Sequence, residues 1–113
     1  MDGKCLFCEI SAGRMPAEKV CEEDGVIVIR DIAPQAPVHL LVIPKEHVSS
    51  AAEVQNPEVW SKAMDCAVRT ARRLGLESEG YRLVVNCGEQ AGQTIPHLHI
   101  HLLAGRSFRW PPG

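Results

Sequence analysis

The run Val26-Ile27-Val28-Ile29 is apolar and β-branched at every position, which predicts a buried strand ending near Asp31. Ahead of it, Val20-Cys21-Glu22-Glu23 predicts a short edge strand, and Asp24-Gly25 a hairpin turn between the two. Ala33-Pro34-Gln35-Ala36-Pro37 is a stiff loop, because a proline cannot donate to a ladder. Val38 to Ile43 predicts the next strand, stopped by Pro44, with His39, Leu41 and Ile43 on one face and Leu40 and Val42 on the other. Ser50-x-x-Glu53 has the pattern of a capping box for a short helical turn.

The period then changes. Val59, Trp60, Ala63, Met64, Ala67, Val68, Ala71 and Leu74 recur at helical spacing. Asn56 as N-cap, Pro57 in the first turn, Arg72 and Arg73 at the end and Gly75 beyond it bound this helix. Tyr81 to Asn86 returns to strand character, while Cys5 to Ile10 predicts a turn or two of helix closed off by Gly13 and Pro16. Arg106 to Gly113 reads as an irregular tail. Strands, one long helix, then strands do not alternate as a parallel α/β chain would. The fold class is therefore α+β, with a mainly antiparallel sheet of about five strands, one long helix and one short N-terminal helix.

The last apolar segment carries the chemistry. In His97-Leu98-His99-Ile100-His101-Leu102-Leu103, histidines alternate with aliphatics. On one strand His97, His99 and His101 would share a face, with Leu98, Ile100 and Leu102 in the core. A lone buried histidine is usually a satisfied core residue, whereas a face of imidazoles is costly to bury without a shared ligand. Two chemistries fit: a metal site, or nucleophilic and acid–base work on an anion. The second needs donors around the developing charge, and Gln93, Thr94 and the backbone near Gly92 stand just before the histidines.

Composition narrows the classes. The chain has 113 residues and a formal net charge of −2, suited to one domain with no broad basic field for a nucleic-acid polymer. No apolar run approaches the ~20 residues of a membrane span, and Met1-Asp2-Gly3-Lys4 opens no signal-peptide core. Five cysteines, Cys5, Cys8, Cys21, Cys66 and Cys87, predict free thiols in a reducing compartment, with Cys5-x-x-Cys8 as half of a zinc site. Two further ligands would come from histidines, and His47 and His97 are the candidates.

The histidine stretch resembles the signature of the histidine-triad (HIT) family. The likeness extends through Asp31-Ile32-Ala33-Pro34-Gln35-Ala36-Pro37-Val38-His39 and on to His47, through Tyr81-Arg82-Leu83-Val84-Val85-Asn86 and Gly92-Gln93-Thr94, and to Trp110-Pro111-Pro112-Gly113, which looks like the ending of the Hint branch. The resemblance implies a single HIT domain over 1–113, with a CxxC segment at 1–12 and a tail at 105–113. It implies a nucleotidyl hydrolase that cleaves the P–N bond of purine nucleoside 5′-phosphoramidates and also hydrolyses aminoacyl-adenylates. His99 would be the nucleophile, oriented by the main-chain carbonyl of His97. His101 and Gln93 would hold phosphate oxygens, Thr94 would sit near the leaving group, and His39 would complete the pocket. Asp31 would bind the ribose, and Asn86 the ribose or phosphate. Leu6, Phe7, Ile29, Ile32 and Leu41 would form the slot for the base.

Resemblance to the zinc-binding subset of the same superfamily implies a structural zinc ion on Cys5, Cys8, His47 and His97, with no cofactor required for catalysis. It also implies a homodimer joined through the long helix and the Tyr81–Asn86 strand, with Trp110 reaching the partner's site. Against these stand Trp60 and Met64 as plain core. The expected location is cytoplasmic, or also nuclear in a eukaryote. Two alternatives keep the motifs but change the role: a dinucleoside-polyphosphate hydrolase of the Fhit type, and a zinc- and nucleotide-binding adaptor without catalysis.

Overall fold

The β-branched run folds as the second of five strands. The computed structural model describes residues 5–113, so Met1-Asp2-Gly3-Lys4 lie outside it. In order, the elements are α1 (Leu6–Ser11), β1 (Lys19–Glu23), β2 (Val26–Arg30), β3 (Val38–Pro44), α2 (Pro57–Arg73), β4 (Tyr81–Val84) and β5 (Ile100–Ala104), with 3-10 turns at Ala51–Glu53 and Glu89–Ala91. The strands form one sheet in the order β1-β2-β3-β5-β4, and every neighbouring pair is antiparallel. None of the described helices is long and apolar enough to cross a membrane.

Both sheet faces are covered, which is why β2 and β3 are apolar at successive positions. Val26, Val28, Leu40, Val42, Ile100 and Leu102 pack with Ala63, Cys66, Ala67 and Ala71 on the α2 side. Ile27, Ile29, Leu41 and Ile43 pack with Phe7 and Ile10 of α1 on the other. The N-terminal segment therefore closes the face on which the histidines stand.

The long helix starts where its signals place it. Asn56 Oδ1 accepts the Glu58 N–H at 3.0 Å, and Pro57 occupies the first turn. It ends at a glycine with φ of +73°, where Gly75 N–H bonds Arg72 O and Leu76 N–H bonds Ala71 O. Its buried face is rotated from the predicted one. Cys66 and Thr70 turn inward, whereas Met64 and Leu74 are exposed. The buried face is built on small side chains, Ala63, Cys66, Ala67, Thr70 and Ala71, while Met64 and Leu74 fall outside it. Met64 is thus not core, and Trp60 is half-buried.

Three boundaries differ from prediction. The Ser50 turn forms as a 3-10 turn, but the Ser50 side chain makes no capping bond. β4 stops at Val84, because its partner β5 begins at Ile100 and pairing runs out just past Val84↔His101. Asn86 therefore lies in a loop. His97 and His99 also lie outside β5. The β3–β5 register of Val42↔Ile100 would set Leu98 opposite Pro44, which has no N–H to give. The Leu98 N–H turns instead to Val48 O at 2.7 Å.

Candidate active site and metal cluster

β3 and β5 deliver His39 and His101 to the face closed by α1, and the extended approach to β5 delivers His97 and His99. Phe7 meets the last two edge-on, with ring centroids 5.7 Å from His97 and 5.1 Å from His99.

Three of the imidazoles, those of His99, His97 and His39, have one nitrogen held by a backbone group of fixed sense. His99 Nδ1 lies 2.7 Å from the His97 carbonyl. A carbonyl only accepts, so Nδ1 carries the proton and Nε2 keeps its lone pair. His97 Nε2–H donates to Pro44 O at 2.7 Å, which leaves His97 Nδ1 bare. His39 shows the reverse case. The Gln35 N–H donates to its Nδ1 at 3.0 Å, so Nε2 carries the proton. That Nε2 lies 2.9 Å from His101 Nδ1 and 3.4 Å from Asp31 Oδ2. Accepting at Nδ1, His101 bears its own proton on Nε2. Burial, then His99 and His39, pushes the His101 pKa down to about 4. Burial also lowers His39, with Asp31 opposing it. The site thus offers a bare imidazole nitrogen beside a neutral imidazole donor.

Two side-chain groups have donor atoms close enough to share a cation, Cys5-Cys8-His47-His97 and Asp31-His39-His101. The tautomers separate them. In the first, His97 Nδ1 turns its lone pair to Cys5 Sγ at 3.2 Å, Cys8 Sγ at 3.7 Å and His47 Nδ1 at 3.2 Å, and Cys8 Sγ lies 3.4 Å from that His47 atom. Metal–ligand bonds of about 2.0 Å to nitrogen and 2.3 Å to sulfur place tetrahedral donors roughly 3.3–3.8 Å apart. Two thiols and two imidazoles at these spacings fit zinc. The second group does not fit a cation, because the Gln35 N–H holds the proton of His39 on the nitrogen that would have to bind it.

Beside the histidines is an apolar cavity of about 290 Å³. Leu6, Phe7, Ile29, Ile32 and Leu41 all line it, and Asp31 stands at its rim with Arg30. Sequence reasoning missed Ile10, Met15, Pro16, Ala17 and Ile95, which also line it. Met15-Pro16-Ala17 read as punctuation after a helix, and its apolar character was the available signal. The Gln35 N–H was missed too, since every residue but proline has one. Asp31 Oδ1 accepts the Ala33 N–H at 2.8 Å, which sets the carboxylate's orientation.

The residues ahead of the triad are arranged differently from a backbone anion cradle. The Gly92 N–H bonds Glu89 O at 3.0 Å and the Gln93 N–H bonds Gly88 O at 3.1 Å, so both donors close their own turn. These two N–H groups are engaged within the loop. The Gln93 side chain is bonded to backbone as well. Thr94 is exposed, Asn86 is half-buried in the loop after β4, and Trp110 is 84% exposed, away from the cavity lining.

Comparison with known proteins covers the same ground. The HIT domain model matches residues 12–108. An uncharacterised HIT-like protein of Synechococcus elongatus is 44% identical over 115 residues, spanning 100% of both chains. A crystal structure of a HIT family hydrolase from Legionella pneumophila is 44% identical, with a TM-score of 0.94 over 97% of this chain and 100% of that one. A HIT family hydrolase from Clostridium thermocellum is 41% identical, with a TM-score of 0.90 over 96% of each chain. With the matched stretch running from the wall of the apolar slot through the histidine cluster, the chain belongs to the HIT domain family.

Proposed function

We propose that the protein is a nucleotidyl hydrolase of the Hint branch, cleaving P–N bonds of purine nucleoside 5′-phosphoramidates and the acyl–phosphate bond of aminoacyl-adenylates. The observation that carries this reading is the 2.7 Å bond from His99 Nδ1–H to the His97 carbonyl, which leaves Nε2 free as a nucleophile on a ring that meets Phe7, a wall of the apolar slot. The base enters the slot, and Asp31 accepts from the ribose hydroxyls. His99 Nε2 attacks the α-phosphorus while the P–N bond breaks and the nitrogen departs as free amine from its N-protonated form. His101 Nε2–H donates to a phosphate oxygen as charge builds there. Water then attacks phosphorus, the P–N bond to His99 breaks, and nucleoside monophosphate leaves with a proton released to solvent. His39 acts through His101, and Asn86, Thr94 and Trp110 lie at the outer edge of this reading.

Cys5, Cys8, His47 and His97 would hold a zinc ion, whose role is structural because four protein ligands leave no open position. Held by these residues, the ion would tie α1 to the segment after β3 and support the slot wall formed by Phe7. The homodimer belongs to this proposal too, with the open edge of β4 as its seam.

The test is single-turnover kinetics on adenosine 5′-phosphoramidate, a dinucleoside polyphosphate and a control nucleotide. The phosphoramidate is expected to react fastest, and His99→Ala to lose several orders of magnitude. Retained turnover in His99→Ala would overturn the covalent mechanism. Preference for the dinucleoside polyphosphate would move the protein to the Fhit type. Nucleotide binding without any turnover would leave the adaptor reading.

A further inference from the structure

The side chain of Gln93 has two N–H donors and one carbonyl acceptor. All three functions are committed. Nε2 donates to Ser49 O at 2.7 Å and to Ile95 O at 3.1 Å, and Oε1 accepts the Gly88 N–H at 2.9 Å. No amide donor remains for a phosphate oxygen.

The partners give the arrangement its meaning. Ser49 lies two residues past His47, and Ile95 two residues before His97. Gly88 opens the 3-10 turn that precedes them. The Leu98 N–H to Val48 O bond and the His97 ring bond to Pro44 O stitch the same two segments together further along. The loop's own backbone bonds, Gly92 to Glu89 and Gln93 to Gly88, close it on itself and fasten it to nothing else. Gln93 is the side chain that fastens that loop to the segment after β3.

We propose that Gln93 is a positioning residue: a strut that locks the segment following His47 to the segment entering the triad, and so holds the His97 carbonyl where it orients His99. This deepens the nucleotidyl-hydrolase reading and rests on it for its catalytic part. A loosened strut leaves Asp31 and the slot walls from α1, β2 and β3 in place, reaching the slot only through Ile95, but lets the His97 carbonyl wander. Misplacement by about 1 Å can cost roughly 100-fold in rate. The loss should fall on kcat and spare KM.

The experiment combines steady-state kinetics on adenosine 5′-phosphoramidate with backbone hydrogen exchange of the full chain. Gln93→Ala is expected to lower kcat by about 10- to 100-fold with KM within about 3-fold. Exchange should accelerate together over residues 46–50 and 86–95. Gln93→Glu, nearly the same shape but without donors for the two carbonyls, should accelerate the same two segments and guards against a simple folding failure in the alanine variant. A KM raised tenfold or more with kcat and exchange unchanged would overturn the strut and make Gln93 a substrate contact. Wild-type protein with no turnover would remove the functional reading. The exchange data then decide the strut alone, and unchanged exchange in both variants would refute it.

Discussion

At the scale of single residues, chemistry here is set by which ring nitrogen a backbone group claims. A carbonyl on His99 and another on His97 force the proton onto the bonded nitrogen, and the N–H of Gln35 forces it off the bonded nitrogen of His39. Four similar side chains become a nucleophile candidate, a metal-ligand candidate and a pair of linked donors. His101 yields a pH prediction. Its folded pKa of about 4 lies below the ordinary value of 6.5 because burial, then His99 and His39, disfavour its charged form. Between those values the unfolded chain binds more protons than the folded one, so stability rises with pH across the window. The contribution is present above about 6.5 and lost as pH falls towards 4. Thermal unfolding from pH 7 to pH 4.5 is expected to show a falling midpoint, and His101→Asn to flatten the slope. An identical slope in that variant would contradict the assignment.

At the scale of elements, local signals succeeded where a side chain acts on its own backbone. Asn56, Pro57 and Gly75 bound α2 with bonds that involve only residues within a few positions. Asn56→Ala is expected to cost about 1 kcal/mol in urea unfolding, since the Glu58 N–H loses its partner. The failures share a cause as well. Strand ends depend on the neighbouring strand: β4 ends because β5 starts late, and β5 starts late because Pro44 faces Leu98's place in the ladder. The helix face differs from the apolar pattern because it is small side chains, Ala63, Cys66, Ala67 and Ala71, that pack on the sheet rather than the larger apolar Met64 and Leu74.

At the scale of the whole molecule, the Cys5-x-x-Cys8 segment is joined to His47 and His97 across most of the chain's length. Phe7 lies between those two cysteines and walls the apolar slot, so the cluster and the slot share one element. Protein purified without added metal is expected to carry about one zinc per chain on these four ligands, measured by elemental analysis. Cys5→Ser, or a strong chelator, should remove it, lower the thermal midpoint and raise KM more than it lowers kcat, because α1 loosens while His99 stays oriented. Full metal content in Cys5→Ser would place the ion elsewhere.

The sequence by itself determined the element types, the antiparallel α+β class, the two faces of β3 and the family, because periodicity, capping and a spaced motif are written in neighbouring residues. It also named the histidines and the cysteine pair. Only the tertiary structure decided which partners each of them meets. Proton positions on His39 and His97 depend on Gln35 and on Pro44, backbone groups that no pattern marks. One of the three bonds of the Gln93 side chain runs to Ser49, 44 positions away, so the proposed strut exists only once the chain has folded back on itself.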